Sequence, residues 1–161
     1  MIFRALNPSY EREAARIVAL QRAFYAVEAA LIGTLDIPPL RETMPALAWC
    51  GETFYGYFAG GELVGAVSYK VETGVMDVHR LVAHPEHFRK GIVRSLMKHI
   101  ENTEAALSEI VVSTGSKYLP ARSLYMSLGF AQKREVEVAR ELRVTLFEKV
   151  VRDDALHRVG P

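Results

Sequence analysis

The residues best suited to chemistry share one stretch, DVHRLVAHPEHFRKGIVRSLMKHI, residues 77 to 100, where a β-rich run passes through a proline-marked loop into a helical pattern. Arg89, Lys90, Gly91 and Arg94 fall in the first turn of that helix. A helix N-terminus presents unpaired N–H groups and the positive end of the helix dipole. Gly91 has no Cβ to obstruct an approaching phosphate, and three cationic side chains surround the amides. The junction is therefore suited to a phosphorylated ligand, a pyrophosphate above all. Taken alone, three charges fit a solvated face of a surface helix equally well. A cradle of this kind needs a strand to aim the loop and a helix to supply the amides, so the surrounding elements carry the weight.

Tyr10, Ala14, Ile17 and Val18 recur at helical spacing, which predicts a helix over Pro8 to Phe24 with Asn7 and Pro8 as cap and first-turn residue. From Tyr25 to Ala48 the composition stays helical, but Gly33 and Pro38-Pro39 interrupt it, so two short helices around a loop are expected. TFYGYFA and LVGAVSYKV, separated by the pair Gly60-Gly61, read as a β-hairpin. A third β-rich run, Val75 to Ala83, ends at His84-Pro85, and Val93, Leu96, Met97 and Ile100 then mark one helix face. Glu109 to Thr114 reads as a buried strand, so strand, helix and strand form a right-handed parallel crossover. Ala121, Leu124, Tyr125 and Leu128 mark a last helix that Gly129 can end. Ala131 to Val138 and Leu142 to Val151 close the chain as an antiparallel pair, followed by a polar tail, residues 152–161. The expected order is α-α-β-β-β-α-β-α-β-β, one mixed α/β domain over residues 1–161.

Two segments in this order carry a resemblance. Ala83-His84-Pro85 and Phe88-Arg89-Lys90-Gly91-Ile92-Val93 are similar to the GNAT superfamily's strand-end Val-x-Pro and its Gln/Arg-x-x-Gly-x-Gly/Ala loop, with Phe88 and Val93 departing from it. ARSLYMSLGF, residues 121 to 130, resembles the same superfamily's Ala-x-x-Leu-Tyr-x-x-x-Gly-Phe helix, and Tyr118 stands where that helix is often preceded by Asn. The resemblance spans about Phe54 to Phe147 and implies a mostly antiparallel sheet of six or seven strands, with one parallel pair that splays, flanked by four helices. It implies an N-acetyltransferase that uses acetyl-CoA and an amine acceptor. The backbone of Leu81, Val82 and Ala83 would follow the pantetheine arm, and Arg89, Lys90, Gly91, Ile92, Val93 and Arg94 would hold the pyrophosphate. Val93 would either crowd that ligand or turn toward the sheet.

Acetyl transfer asks for a proton donor to the CoA thiolate, and the resemblance assigns it to Tyr125, a phenol with pKa near ~10. By position on its apolar stripe Tyr125 is also suited to the core. An alkyl ammonium must lose a proton before it attacks. Strand alternation puts Val75, Asp77 and His79 on one face, and either Asp77 or His79 can serve as that base, or the two are a solvated pair at a strand edge. Acceptor recognition would fall to Tyr25–Glu42 and to Glu135–Arg143, with Glu28, Asp36 and Glu42 attracting a cationic amine or standing as ordinary surface charges. Trp49 and Tyr25 read as core or rim packing.

Bulk properties narrow the rest. Twenty basic against nineteen acidic residues give a formal net charge of +1, so no global field draws nucleic acid or a membrane surface. The single cysteine, Cys50, and the absence of a signal-like N-terminus or membrane-length apolar run lead to an expected cytoplasmic protein. His84, His87 and His99 lack metal-ligand spacing, and no metal is assigned. Apolar Leu142, Val144, Leu146 and Val150 suggest that the closing strands pair with a second copy as a homodimer. A non-catalytic acyl-CoA sensor remains the alternative. A mononucleotide domain is disfavoured because neither nucleotide-binding glycine fingerprint is present.

Overall fold

The chain opens with a strand that its pattern does not announce. β1 (Ile2–Leu6) lies antiparallel to β2 (Thr53–Ala59), ahead of the first helix rather than leading into it. Asn7 and Pro8 form a turn, with the Asn7 side chain accepting from Ser9 N–H, and α1 starts only at Glu11. It runs unbroken to Ile32 and stops where Gly33 takes a left-handed φ of 81°. The expected break near Tyr25 is therefore absent. A short turn of 3-10 helix (Pro38–Arg41) and α2 (Met44–Ala48) follow. The computed structural model describes residues 2–33, 38–104, 106–140 and 142–151, so Asp36 and the polar tail lie outside the described residues.

β2 and β3 (Glu62–Glu72) form the expected hairpin, and Gly60 and Gly61 both have positive φ, as a tight two-residue turn requires. β4 (Val75–Ala83), α3 (Ile92–Thr103) and β5 (Glu109–Gly115) form the crossover, with a 3-10 turn at Pro85–His87. α4 (Leu119–Ser127) precedes β6 (Ala131–Ala139) and β7 (Leu142–Val150). The seven strands are ordered β1-β2-β3-β4-β5-β7-β6, and β4/β5 is the parallel pair. β7 thus inserts between β5 and β6. Leu142, Val144 and Leu146 are half-buried there, and the free edge belongs to β6, all nine of whose residues are exposed.

Helices cover both faces of the sheet. Ile92, Leu96, Met97 and Ile100 of α3 join Met76, Val78, Ile110 and Phe147 in the largest apolar cluster. Each such fully buried side chain contributes about 1.5–3 kcal/mol of transfer free energy. On the opposite face Ala14, Ile17 and Val18 of α1 pack with Leu47, Phe54 and Phe58. Among the described residues no helix is long and apolar enough to cross a membrane.

Candidate active site between the splayed strands

β4 and β5 pair only from Val75/Glu109 to Val78/Val112. Beyond that point β4 continues to Ala83 against β3, and β5 continues to Gly115 against β7, so the two strands part. From His79 to Ala83 the β4 edge facing away from β3 has no strand beside it, and its backbone groups are free to meet a ligand. A cleft fills the notch, lined by Phe24, Tyr25 and Glu28 of α1, by Leu81 of β4, by Ser113 and Thr114 of β5, and by Tyr118, Ala121 and Tyr125 around α4. His79 and Arg80 line it as well, and with Tyr25 they continue into a second cleft of about 210 Å³ that adds Gln21, Pro39 and Glu42.

A β-bulge brings His79 and Arg80 together. Ser68 of β3 pairs with Arg80 and Tyr69 with Val78, leaving His79 without an opposite residue. Met76 and Val78 before the bulge, and Leu81 and Ala83 after it, all belong to the α3-side cluster. Strict alternation would have sent Arg80 to that side too; the extra residue re-aims it toward α1. Asp77 and His79 do share a face, as the alternation predicts, with His79 Nε2 3.3 Å from Asp77 Oδ2 and His79 Nδ1 3.6 Å from Glu52 Oε2. Asp77 remains mostly exposed and lines neither cleft.

Arg80 is the hub of a network that the sequence reading does not foresee. Its Nε donates to Glu52 at 3.0 Å, Nη1 to Gln21 and Glu42, and Nη2 to Glu42 and Glu52. Gln21 in turn donates to Glu42 and to the Pro39 carbonyl, while Ser68 donates to Glu52 at 2.6 Å. Burial pushes the Glu52 carboxyl up, but the Arg80 and Ser68 hydrogen bonds outweigh it and hold Glu52 below its usual range. The one clue in the sequence is Gln21, a polar residue on the buried stripe of α1.

Glu28, seven positions further along α1, is a second polar intrusion. It is 7% exposed, and burial raises its pKa above the ordinary carboxylate value although the Gly115 N–H donates to it. Tyr125 is buried against Phe147 and Phe130, with ring centroids 5.4 and 5.8 Å away. Its hydroxyl is pushed well above the usual phenol value, first by burial and then by Tyr25, Glu28 and Tyr118, so it holds its proton throughout the working pH range. The ring of Tyr125 packs in the core, and its side chain also lines the cleft. Tyr118, in the Asn position, is buried beside it and likewise raised, chiefly by burial.

The loop beyond β4 keeps its backbone exposed. Gly91 caps α3 with φ of 75°, no side chain caps the helix, and nothing lies within 4 Å of where a Cβ would stand. Arg89 also has a positive φ, 66°, a conformation that non-glycine residues seldom adopt. Val93 is half-buried and packs on the main core, which resolves its two readings in favour of the sheet. Phe88 packs edge-on to Phe24 of α1 at 6.1 Å. Arg94 donates to Ser127 at the end of α4 at 3.0 Å. Trp49, read as core or rim, is 89% exposed.

The profile of the acetyltransferase (GNAT) family matches residues 18–130, which contain the splay, the loop and α4. The chain belongs to the GNAT family. Among curated proteins it is similar to the UPF0157 protein YqkA of Bacillus subtilis, 35% identical over 134 residues, covering 83% of this chain and 39% of that one. The chain thus spans about two fifths of that relative's length. Among solved structures it is similar to the PaiA N-acetyltransferase of Thermoplasma acidophilum in complex with coenzyme A, with a TM-score of 0.75, 18% identity, and coverage of 93% and 98% of the two chains. It is also similar to the ribosomal-protein alanine N-acetyltransferase of Escherichia coli, with a TM-score of 0.74, 11% identity, and 93% of each chain covered. At these identities the likeness establishes the GNAT fold, and the seven-stranded sheet with its parallel splay is that fold.

Proposed function

We propose that this chain transfers an acetyl group from acetyl-CoA to a primary amine. The observation that carries the reading is the splay: the unpaired β4 edge, His79 and Tyr125 all face one cleft, directly ahead of the exposed Gly91 helix start. The residues fit the donor. The free edge at Leu81, Val82 and Ala83 suits an amide-bearing pantetheine arm. The loop residues Arg89 and Lys90, which precede the helix rather than lying in its first turn, with the cap Gly91 and the uncapped first-turn residues Ile92, Val93 and Arg94 suit the pyrophosphate, for which an empty position at Gly91 gives backbone access.

When bound, acetyl-CoA supplies the activated acyl group; the chain's residues manage protons. The acceptor's ammonium loses one to His79 at the cleft, and Asp77, 3.3 Å away and open to water, relays it outward. Tyr125, protonated at working pH, donates its O–H toward the departing sulfur. The experiment is calorimetric titration with acetyl-CoA, combined with CoA release from a panel of amines followed by a thiol reagent. Binding with release supports the enzyme. Binding without release from any amine supports an acyl-CoA sensor instead, and no binding removes the donor site.

The same reading places the protein in the cytoplasm, with acetyl-CoA and an amine rather than nucleic acid or membrane as partners. We propose a homodimer at the β6 edge, where Val136 and Val138 are exposed, rather than through Leu142, Val144 and Leu146 of β7, which β5 and β6 flank. Light scattering after size exclusion should give twice the chain mass, and Val138→Lys should return it to one chain. A wild-type monomer at micromolar concentration would remove the dimer.

A further inference from the structure

The charges in the two joined clefts specify what the acceptor must carry. Arg80 is the one lysine or arginine among the described lining residues. A guanidinium has five N–H donors. All five are engaged, by Glu52, Gln21, Glu42, Glu42 again and Glu52 again. No donor is left for a ligand's carboxylate. Glu42 and Glu52 together outweigh the single positive charge, so the cluster is net negative.

At the other end Glu28 is more than nine-tenths buried, lines the splay cleft and has one backbone donor, Gly115. Facing it are Tyr25 on its own helix, Tyr118 and Tyr125 from the α4 region, and His79 and Arg80 from β4. The tyrosines carry no positive charge, and the donors of Arg80 go to Gln21, Glu42 and Glu52, so no hydrogen-bonded cation compensates Glu28. A buried carboxylate without a cation is costly, and an incoming ammonium removes that cost. The second cleft, about 210 Å³, is smaller than the ~300–1,000 Å³ usual for ligand pockets, which favours a compact acceptor.

We infer that the acceptor is a compact amine that bears a second positive group and no carboxylate, held between Glu28 in the splay and the Glu42 side of the neighbouring cleft. This rests on the acetyl-transfer reading, in which these clefts are the acceptor site. Amino acids are excluded as good substrates because their carboxylate meets Glu42 and Glu52 with Arg80 already saturated.

Putrescine, n-butylamine and γ-aminobutyrate share the same four-carbon spacing and differ in the group at the far end: a second ammonium, a methyl or a carboxylate. Measured as kcat/KM for CoA release at saturating acetyl-CoA, putrescine should exceed γ-aminobutyrate by about a hundredfold, with butylamine between them. Glu42→Ala frees Arg80 donors and should shrink that ratio by about tenfold. If thermal melting shows the alanine variant unfolded, Glu42→Gln tests the same shift in milder form. Equal use of putrescine and γ-aminobutyrate, or a ratio unmoved by the Glu42 change, overturns the inference. So does acetyl-CoA binding with no release from any of the three, which leaves the acetyl-transfer reading standing for other amines. Failure of acetyl-CoA to bind overturns both.

Discussion

The start of α3 and the Arg80 network are two charged regions of this molecule, and they are built in opposite ways. At α3, Arg89, Lys90 and Gly91 are consecutive, exposed and backed by main-chain amides. Around Arg80, the partners are Gln21 of α1, Glu42 just before α2 and Glu52 just before β2, with Ser68 of β3 behind Glu52, and the charges are largely withdrawn from water. The first region adds little to the packing of the fold; the second ties four segments of it together and carries a net negative charge. Changes at the first should therefore move affinity, and changes at the second should move stability and selectivity.

The largest effect tests that division. Arg80→Met leaves Glu42 and Glu52 without a cation and should cost on the order of 3 kcal/mol or more in urea unfolding. Arg89→Ala with Lys90→Ala should stay within about 0.5 kcal/mol of wild type while weakening acetyl-CoA in calorimetry. Equal stability losses in the two variants would erase the distinction. Next in size, Tyr125→Phe should lower kcat about a hundredfold with acetyl-CoA affinity unchanged, since a positioned general acid contributes that much or more. Unchanged turnover would show that the phenol only packs.

Smaller still, Gly91→Ala puts a Cβ on a left-handed residue and should cost about 1 kcal/mol of stability. Its larger signature is weakened acetyl-CoA binding, because the new methyl occupies open space on the ligand side. The smallest effects are those of pH, and they have opposite signs in two carboxylates. Glu52 is depressed in the fold, so its contribution is present above the unfolded value of 4.5 and fades as pH falls through its lower folded pKa. Glu28 is raised, so its ionisation penalises the fold above its folded pKa and the penalty vanishes below 4.5. Glu28→Gln should therefore raise the melting midpoint at pH 8 and leave it unchanged at pH 4, whereas Glu52→Gln should lower it at pH 8. Melting curves of both variants at the two pH values would settle the contrast, and a loss of stability in Glu28→Gln at pH 8 would contradict it.

Where local pattern governs, the reading from residues matches the structure. The Gly60-Gly61 hairpin, the crossover from β4 through α3 to β5, and Tyr125 on α4 follow from alternation, helical spacing and turn chemistry within short windows. β1 escaped because five residues beside a turn have no periodicity strong enough to mark a strand, and they become one only by pairing with β2. The expected end of the first helix at Phe24 is not seen, because nothing at Tyr25 to Glu28 breaks a helix; the helix ends at Gly33, one of the expected breakers. Trp49, expected as core or rim packing, stands outside the core.

By itself the sequence determined the family and the pairing of Asp77 with His79 on one strand face. Tertiary structure alone decided that Arg80 joins them, that all five of its donors are engaged, and that Glu28 reaches the splay. For Arg80 the physical reason is a single unpaired residue: the bulge at His79 exists only in the register between β3 and β4, and it reverses which face every later β4 side chain meets.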